Sequence, residues 1–176
     1  MFELQETVAI DGSAYKARTD FRVILEIFVM LNDPDLDDAD KTEALMQMFY
    51  VERPENTEAA VEAFASFVEP RKRTSVKGRG LVDWENDFDL IAAAVNHVLG
   101  TECRSLSYLH WHSFMGAYME ISPDSLFARV LRMRDKLKTG RKIEKWEWRW
   151  YLKNRELVDL PMKFSDSEQA LLEEWT

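Results

Sequence analysis

The sequence predicts a mostly α-helical protein: a compact set of about seven helices with a possible small β-hairpin at the N-terminus. Three observations carry this. Apolar residues recur at i, i+3, i+4 and i+7 through most of the 176 residues. Capping residues, Gly and Pro bracket those stripes. Period-two alternation is confined to the opening stretch, FELQETVAI, which Asp11-Gly12-Ser13 links to a return strand in AYKAR.

The elements follow in order. Thr19 or Asp20 caps a helix carrying Phe21, Ile24, Leu25, Phe28 and Leu31. Val23, Ile27 and Met30 make its other side apolar too, so this helix should be central and largely buried. Asn32-Asp33-Pro34-Asp35 ends it. A second helix is expected from about Asp37 to Val51, with Leu45, Met48 and Phe49 inward. A third follows Arg53-Pro54-Glu55-Asn56, with Val61, Phe64, Phe67 and Val68 on one face.

Residues 70–80, PRKRTSVKGRG, read as a loop. Beyond it Trp84, Phe88, Ile91, Val95 and Val98 form a long helical stripe stopped by Gly100. Trp111, Phe114, Met115 and Tyr118 mark the next helix. Ser122 and Asp124 are candidate caps for another, from about Asp124 to Lys138, broken at Thr139-Gly140. A further helix spans about Ile143 to Leu157, and SDSEQALLEEW can form a short terminal one. The chain divides into a hairpin with acidic helices (1–69), a basic loop (70–82) and a second helical part (83–176), expected to form one folded unit.

Composition narrows the function classes. With 46% hydrophobic and 12% aromatic residues, the chain can bury a core. It has no apolar run of membrane-spanning length and no signal-peptide pattern, and its lone cysteine, Cys103, permits no intrachain disulfide, so the cytosol is expected. The net charge of −9 is unevenly spread. Residues 83–128 hold 7 acidic and 1 basic side chains; residues 129–155 hold 11 basic and 3 acidic. Such blocks can attract one another within or between copies, whereas an acidic total argues against coating nucleic acid.

Chemistry-bearing motifs are sparse. There is no G-x-S-x-G, H-E-x-x-H or Walker pattern, so no enzyme and no cofactor are expected. On one helix His110 and His112 would point about 200° apart and could not share a metal ion. Each falls at an edge of the Trp111 and Phe114 stripe, where an imidazole can find a hydrogen bond. His97 and Cys103 lie at no zinc-like spacing, so no metal is expected. Asp83, Glu85, Asp87 and Asp89 suit the positive end of a helix better than a cation site.

The strongest candidate for binding is KIEKWEWRWYLKNRE, residues 142–156. Lys142, Lys145, Arg149 and Lys153 form one ridge, Trp146, Trp150 and Leu157 another, with Trp148 and Leu152 elsewhere on the helix. Three readings stay open: tryptophans in the core beneath basic stems, a protein-contact face, or a surface for single-stranded nucleic acid. Arg71, Lys72 and Arg73 of the basic loop join the protein-contact reading.

One order of segments is more specific. VDWENDFDLIAAAV, then LHWHSFMGAY, then FARVLRMRDKLK, then a basic helix closing on Asn-Arg-Glu-Leu resembles the bacteriophage gene-product-fifteen family of tailed phages and prophages of Gram-positive bacteria. Its most specific pieces are Leu109-His110-Trp111 with Phe114, and Arg132-Met133-Arg134; His112 stands where the family often has a second aromatic. The resemblance implies a gene just upstream of the tape-measure gene. It also implies a tail assembly chaperone in the host cytoplasm that binds tape-measure protein and its own copies, homo-oligomer included. It carries over no catalytic residues. The rival roles are a structural virion component of the tail or connector, and a single-stranded nucleic-acid binder.

Overall fold

In the computed structural model, residues 3–69 and 80–161 are described; the basic residues Arg71, Lys72 and Arg73 and the expected terminal helix lie outside them. The mostly helical expectation holds, with the N-terminal hairpin present. The described residues separate into two compact units.

The first unit contains residues 3–69 and Tyr108–Ser113. Its hairpin pairs β1 (Thr7–Ile10) with β2 (Ser13–Lys16) in antiparallel register, Val8 opposite Tyr15 and Ile10 opposite Ser13. Asp11 and Gly12 both have positive φ, 49° and 81°, the type I′ turn whose twist matches a two-residue hairpin. Alternation buries Val8 and Ile10 and exposes Thr7 and Ala9.

Helix α1 (Phe21–Leu31) starts at Asp20, whose carboxylate accepts the Arg22 N–H. Burial pushes the Asp20 carboxyl up, but bonds from the Arg22 side chain and from the Arg22 and Leu109 backbones outweigh it, leaving the group below its ordinary value. Phe21, Ile24 and Ile27 are fully buried, as the two-sided apolar pattern demands.

Helix α2 (Asp38–Phe49) is capped by Asp37, and α3 (Thr57–Val68) by Asn56. Two inward assignments need correction. Met46 is buried where Met48 was expected, and Ala60 takes the inward place while Val61 is exposed. In each case the small rotation is set by aromatic packing. Phe49 meets Phe64 and Phe67 with centroids 5.0 and 5.3 Å apart, and the Tyr50 hydroxyl donates to the Ala60 carbonyl at 2.7 Å.

The second unit contains residues 80–107 and Phe114–Pro161. Helix α4 (Phe88–Leu99) ends at Gly100, which adopts φ 69° and donates to the Asn96 carbonyl, the left-handed stop. A 3-10 turn follows at Cys103–Ser105. Helix α5 (Trp111–Met119) begins in the first unit and continues into the second. Helix α6 (Leu126–Thr139) is capped by Ser125, not by Ser122 or Asp124. The Ser122 hydroxyl instead accepts the Asp124 N–H within the preceding turn.

The expected helix to Leu157 is two helices, α7 (Lys145–Lys153) and α8 (Arg155–Val158), separated at Asn154. Asn154 turns its side chain back to the Trp150 carbonyl at 2.7 Å, a local bond that competes with helix continuation. Val130, Met133, Tyr151 and Val158 form a buried cluster that Leu90, Ile143 and Trp150 pack against.

Candidate partner-binding surface

The histidine motif is a packing station. His110 lies just outside α5 and forms an isolated antiparallel bridge with Asp20. Because it precedes the helix, the 200° separation does not apply. The His110 and His112 rings sit 5.1 Å apart. They are nonetheless committed to the backbone. His110 Nδ1 accepts the His112 N–H at 3.0 Å, which fixes the proton on Nε2, and Nε2 donates to the Gln5 carbonyl at 2.9 Å. His112 Nε2 donates to the Phe67 carbonyl at 2.8 Å.

Trp111 is buried, donates from Nε1 to the Val68 carbonyl at 3.2 Å and meets Phe28 edge-on at 5.6 Å. Phe114 is fully buried in the second unit. Each of these side chains is held by the fold. Among the described residues, no group of three or more His, Cys, Asp or Glu side chains could hold a metal ion. Burial pushes the Cys103 thiol up, away from the thiolate a nucleophile requires. No helix among the described residues is long and apolar enough to cross a membrane.

Helix α7 differs from these buried motifs. Glu147 accepts the Glu144 N–H at 2.8 Å and holds Lys136 Nζ at 2.6 Å, so one carboxylate anchors the helix start against α6. The hydrogen bond from Lys136, with the Glu144 N–H, keeps the Glu147 carboxyl below its ordinary value. Tyr151, Trp150 and Glu147 face inward. The Arg129 guanidinium lies 5.6 Å from the Trp150 ring centre.

The tryptophans grouped by sequence are therefore divided. Trp150 belongs to the packed face, whereas Trp146 is 65% exposed. On the other side, Trp148 and Leu152 are 45% and 54% exposed, one turn apart. Trp148 is braced against the Tyr151 ring at 5.1 Å. The i, i+4 spacing of Trp148 and Leu152 was the signal for this patch, masked in the sequence by tryptophans on every side. Lys145, Arg149 and Lys153 are exposed along the arc between Trp146 and the Trp148–Leu152 edge, and Lys142 pairs with Glu144 at 2.8 Å.

The outward arc of α7 thus presents two apolar edges with a basic ridge between them. Tryptophan and arginine are the residue types enriched at contact hot spots. Such a surface suits a helix with an apolar stripe and flanking carboxylates.

The family model described as Bacteriophage Gp15 protein matches residues 2–160. Neither a curated protein nor a solved structure matches the chain.

Proposed function

The chain belongs to the Bacteriophage Gp15 protein family, and from that premise we propose that it is a non-enzymatic tail assembly chaperone. It works in the host cytoplasm, binding tape-measure protein and its own copies. Family membership supports the broader class, a phage structural or morphogenesis protein. The observation that carries the finer reading is the outward arc of α7, where Trp146, Trp148 and Leu152 remain exposed on a helix whose inner face is fully used. In this reading, reversible coverage of apolar helix surface keeps a long helical target from aggregating before the tail tube forms around it.

Co-expression with the tape-measure protein tests this. Its soluble fraction should rise several-fold with this chain and fall back with Trp148→Ala/Leu152→Ala, and the two proteins should co-purify. Equal solubility with and without this chain would remove the chaperone reading. Finding the chain in purified particles by mass spectrometry would replace it with the virion-component reading.

A further inference from the structure

Helices α4 and α6 border a groove of about 400 Å³. Its base is apolar, formed by half-buried Leu90 and Ala94 and buried Phe127. Ala93 and Leu126 stand exposed on its rim, with His97 and Asp124 at its polar margin. The two alanines on α4 leave space where larger side chains would close it. The volume lies within the range of about 300–1,000 Å³ typical of sites that enclose a bound group.

We infer that a second copy of this chain occupies the groove, inserting the Trp146 edge of its α7. Three features argue for that occupant. First, Trp146 is 65% exposed at the start of a helix pinned by the Lys136–Glu147 pair, so it offers a large, rigid anchor at low ordering cost. Second, the charges match. The groove margin carries the exposed carboxylate of Asp124, whereas the outward arc of α7 carries exposed Lys145, Arg149 and Lys153. Arg149 and Lys153 flank Trp146 on the helix surface and would face the Asp124 carboxylate. Third, anchor and groove are different surfaces of one chain, so pairing is head-to-tail and can extend beyond two copies.

The inference rests on the self-association half of the proposed function and leaves the target half intact. Trp146 and Trp148 are about 200° apart around the helix. A copy docked through the Trp146 edge therefore keeps its Trp148–Leu152 edge available. A row of copies would present that edge repeatedly along a helical target.

Sedimentation velocity of the full chain, across concentration and at low and high salt, tests the pairing. Wild-type protein should form concentration-dependent species that weaken in high salt. Trp146→Ala on the anchor side, and Ala93→Arg or Leu126→Lys on the groove side, should each weaken association about tenfold or more while leaving the melting temperature close to wild type. Mixing Trp146→Ala with Ala93→Arg should restore a dimer and nothing larger, because only one intact anchor–groove pair remains. A wild-type chain that stays monomeric at low salt overturns the inference together with self-association. Variants that assemble like wild type, or a mixture that stays monomeric, overturn the anchor–groove assignment alone. Solubility of the tape-measure target is measured separately, so failure of target binding and failure of self-pairing are distinguishable.

Discussion

Asp87 and Arg134, 47 positions apart in the chain, form a buried two-pronged ion pair, with Nη1 to Oδ2 at 2.6 Å and Nη2 to Oδ1 at 2.8 Å. The Asp87 and Arg134 side chains are only 2% and 7% exposed. Arg134 also donates to the carbonyls of Leu81, Leu157 and Val158, so one guanidinium ties the approach to α4 and the end of α8 to α6. Arg134→Met strands the carboxylate and three carbonyls, and should cost about 3–5 kcal/mol. Asp87→Asn keeps an acceptor and leaves the carbonyl bonds in place, so it should cost less. Urea unfolding followed by circular dichroism ranks the two; equal losses would show that the uncompensated buried charge, and not the carbonyl bonds, sets the cost.

His110 supports a second prediction. The residue is 2% exposed, and its ring joins two backbone groups, the His112 N–H and the Gln5 carbonyl. His110→Ala leaves both without their partner and should destabilise by about 1–3 kcal/mol for each group that water cannot reach. His110→Asn can still accept from the His112 N–H but is too short for Gln5, so its loss should be intermediate. Zinc and a chelator should leave the melting temperature of the wild type unchanged. A chelator-induced drop would mean that the two rings hold a metal after all.

Glu102 contributes to the pH dependence, beside the lowered carboxyls of Asp20 and Glu147. Hydrogen bonds from the Arg104 side chain and backbone, helped by Asn96, pull the Glu102 carboxyl down from 4.5 to about 2. A depressed carboxyl stabilises the fold above the unfolded value, and that contribution disappears as pH falls through the folded value. Glu102→Gln should therefore lower the melting temperature at neutral pH. The gap should begin to close below about 4.5 and vanish towards about 2. A gap that stays constant across that window would assign the effect to packing of the side chain and not to its charge.

Local signals are legible in the sequence and long-range ones are not. The α1 stripe, the Asp11-Gly12 turn and the Gly100 stop are encoded within a few residues of where they act. His110 reads as helical because its true position depends on Asp20, 90 residues earlier, through a backbone bridge that no periodicity announces. Asp87 reads as an ordinary acidic first-turn residue for the same reason, since its partner is remote. On the candidate surface, the basic ridge is visible in the sequence. The division of its tryptophans is not, because three indoles at three angles give no dominant face until α6 supplies the packing partner.

That division yields the final prediction. Trp150 packs against Val130, Met133, Tyr151 and Val158 and lies beside Arg129, so Trp150→Ala removes core volume and a cation–π contact. The cost should fall at or below the low end of the about 3–5 kcal/mol seen for large aromatic truncations, because the ring is only partly buried. Trp146→Ala removes mostly hydrated surface and should change stability by about 0.5 kcal/mol or less, whereas Trp148→Ala also loses the ring contact with Tyr151 and should cost about 0.5–1.5 kcal/mol. Binding should show the reverse order: the exposed pair should lose partner affinity at a smaller cost in fold stability, whereas Trp150→Leu should retain affinity in proportion to the protein that stays folded. Measuring unfolding and co-purification on the same three positions separates a tryptophan that builds the helix from those that use it. If Trp146→Ala and Trp148→Ala leave every interaction intact, the outward arc of α7 is only a solvated face.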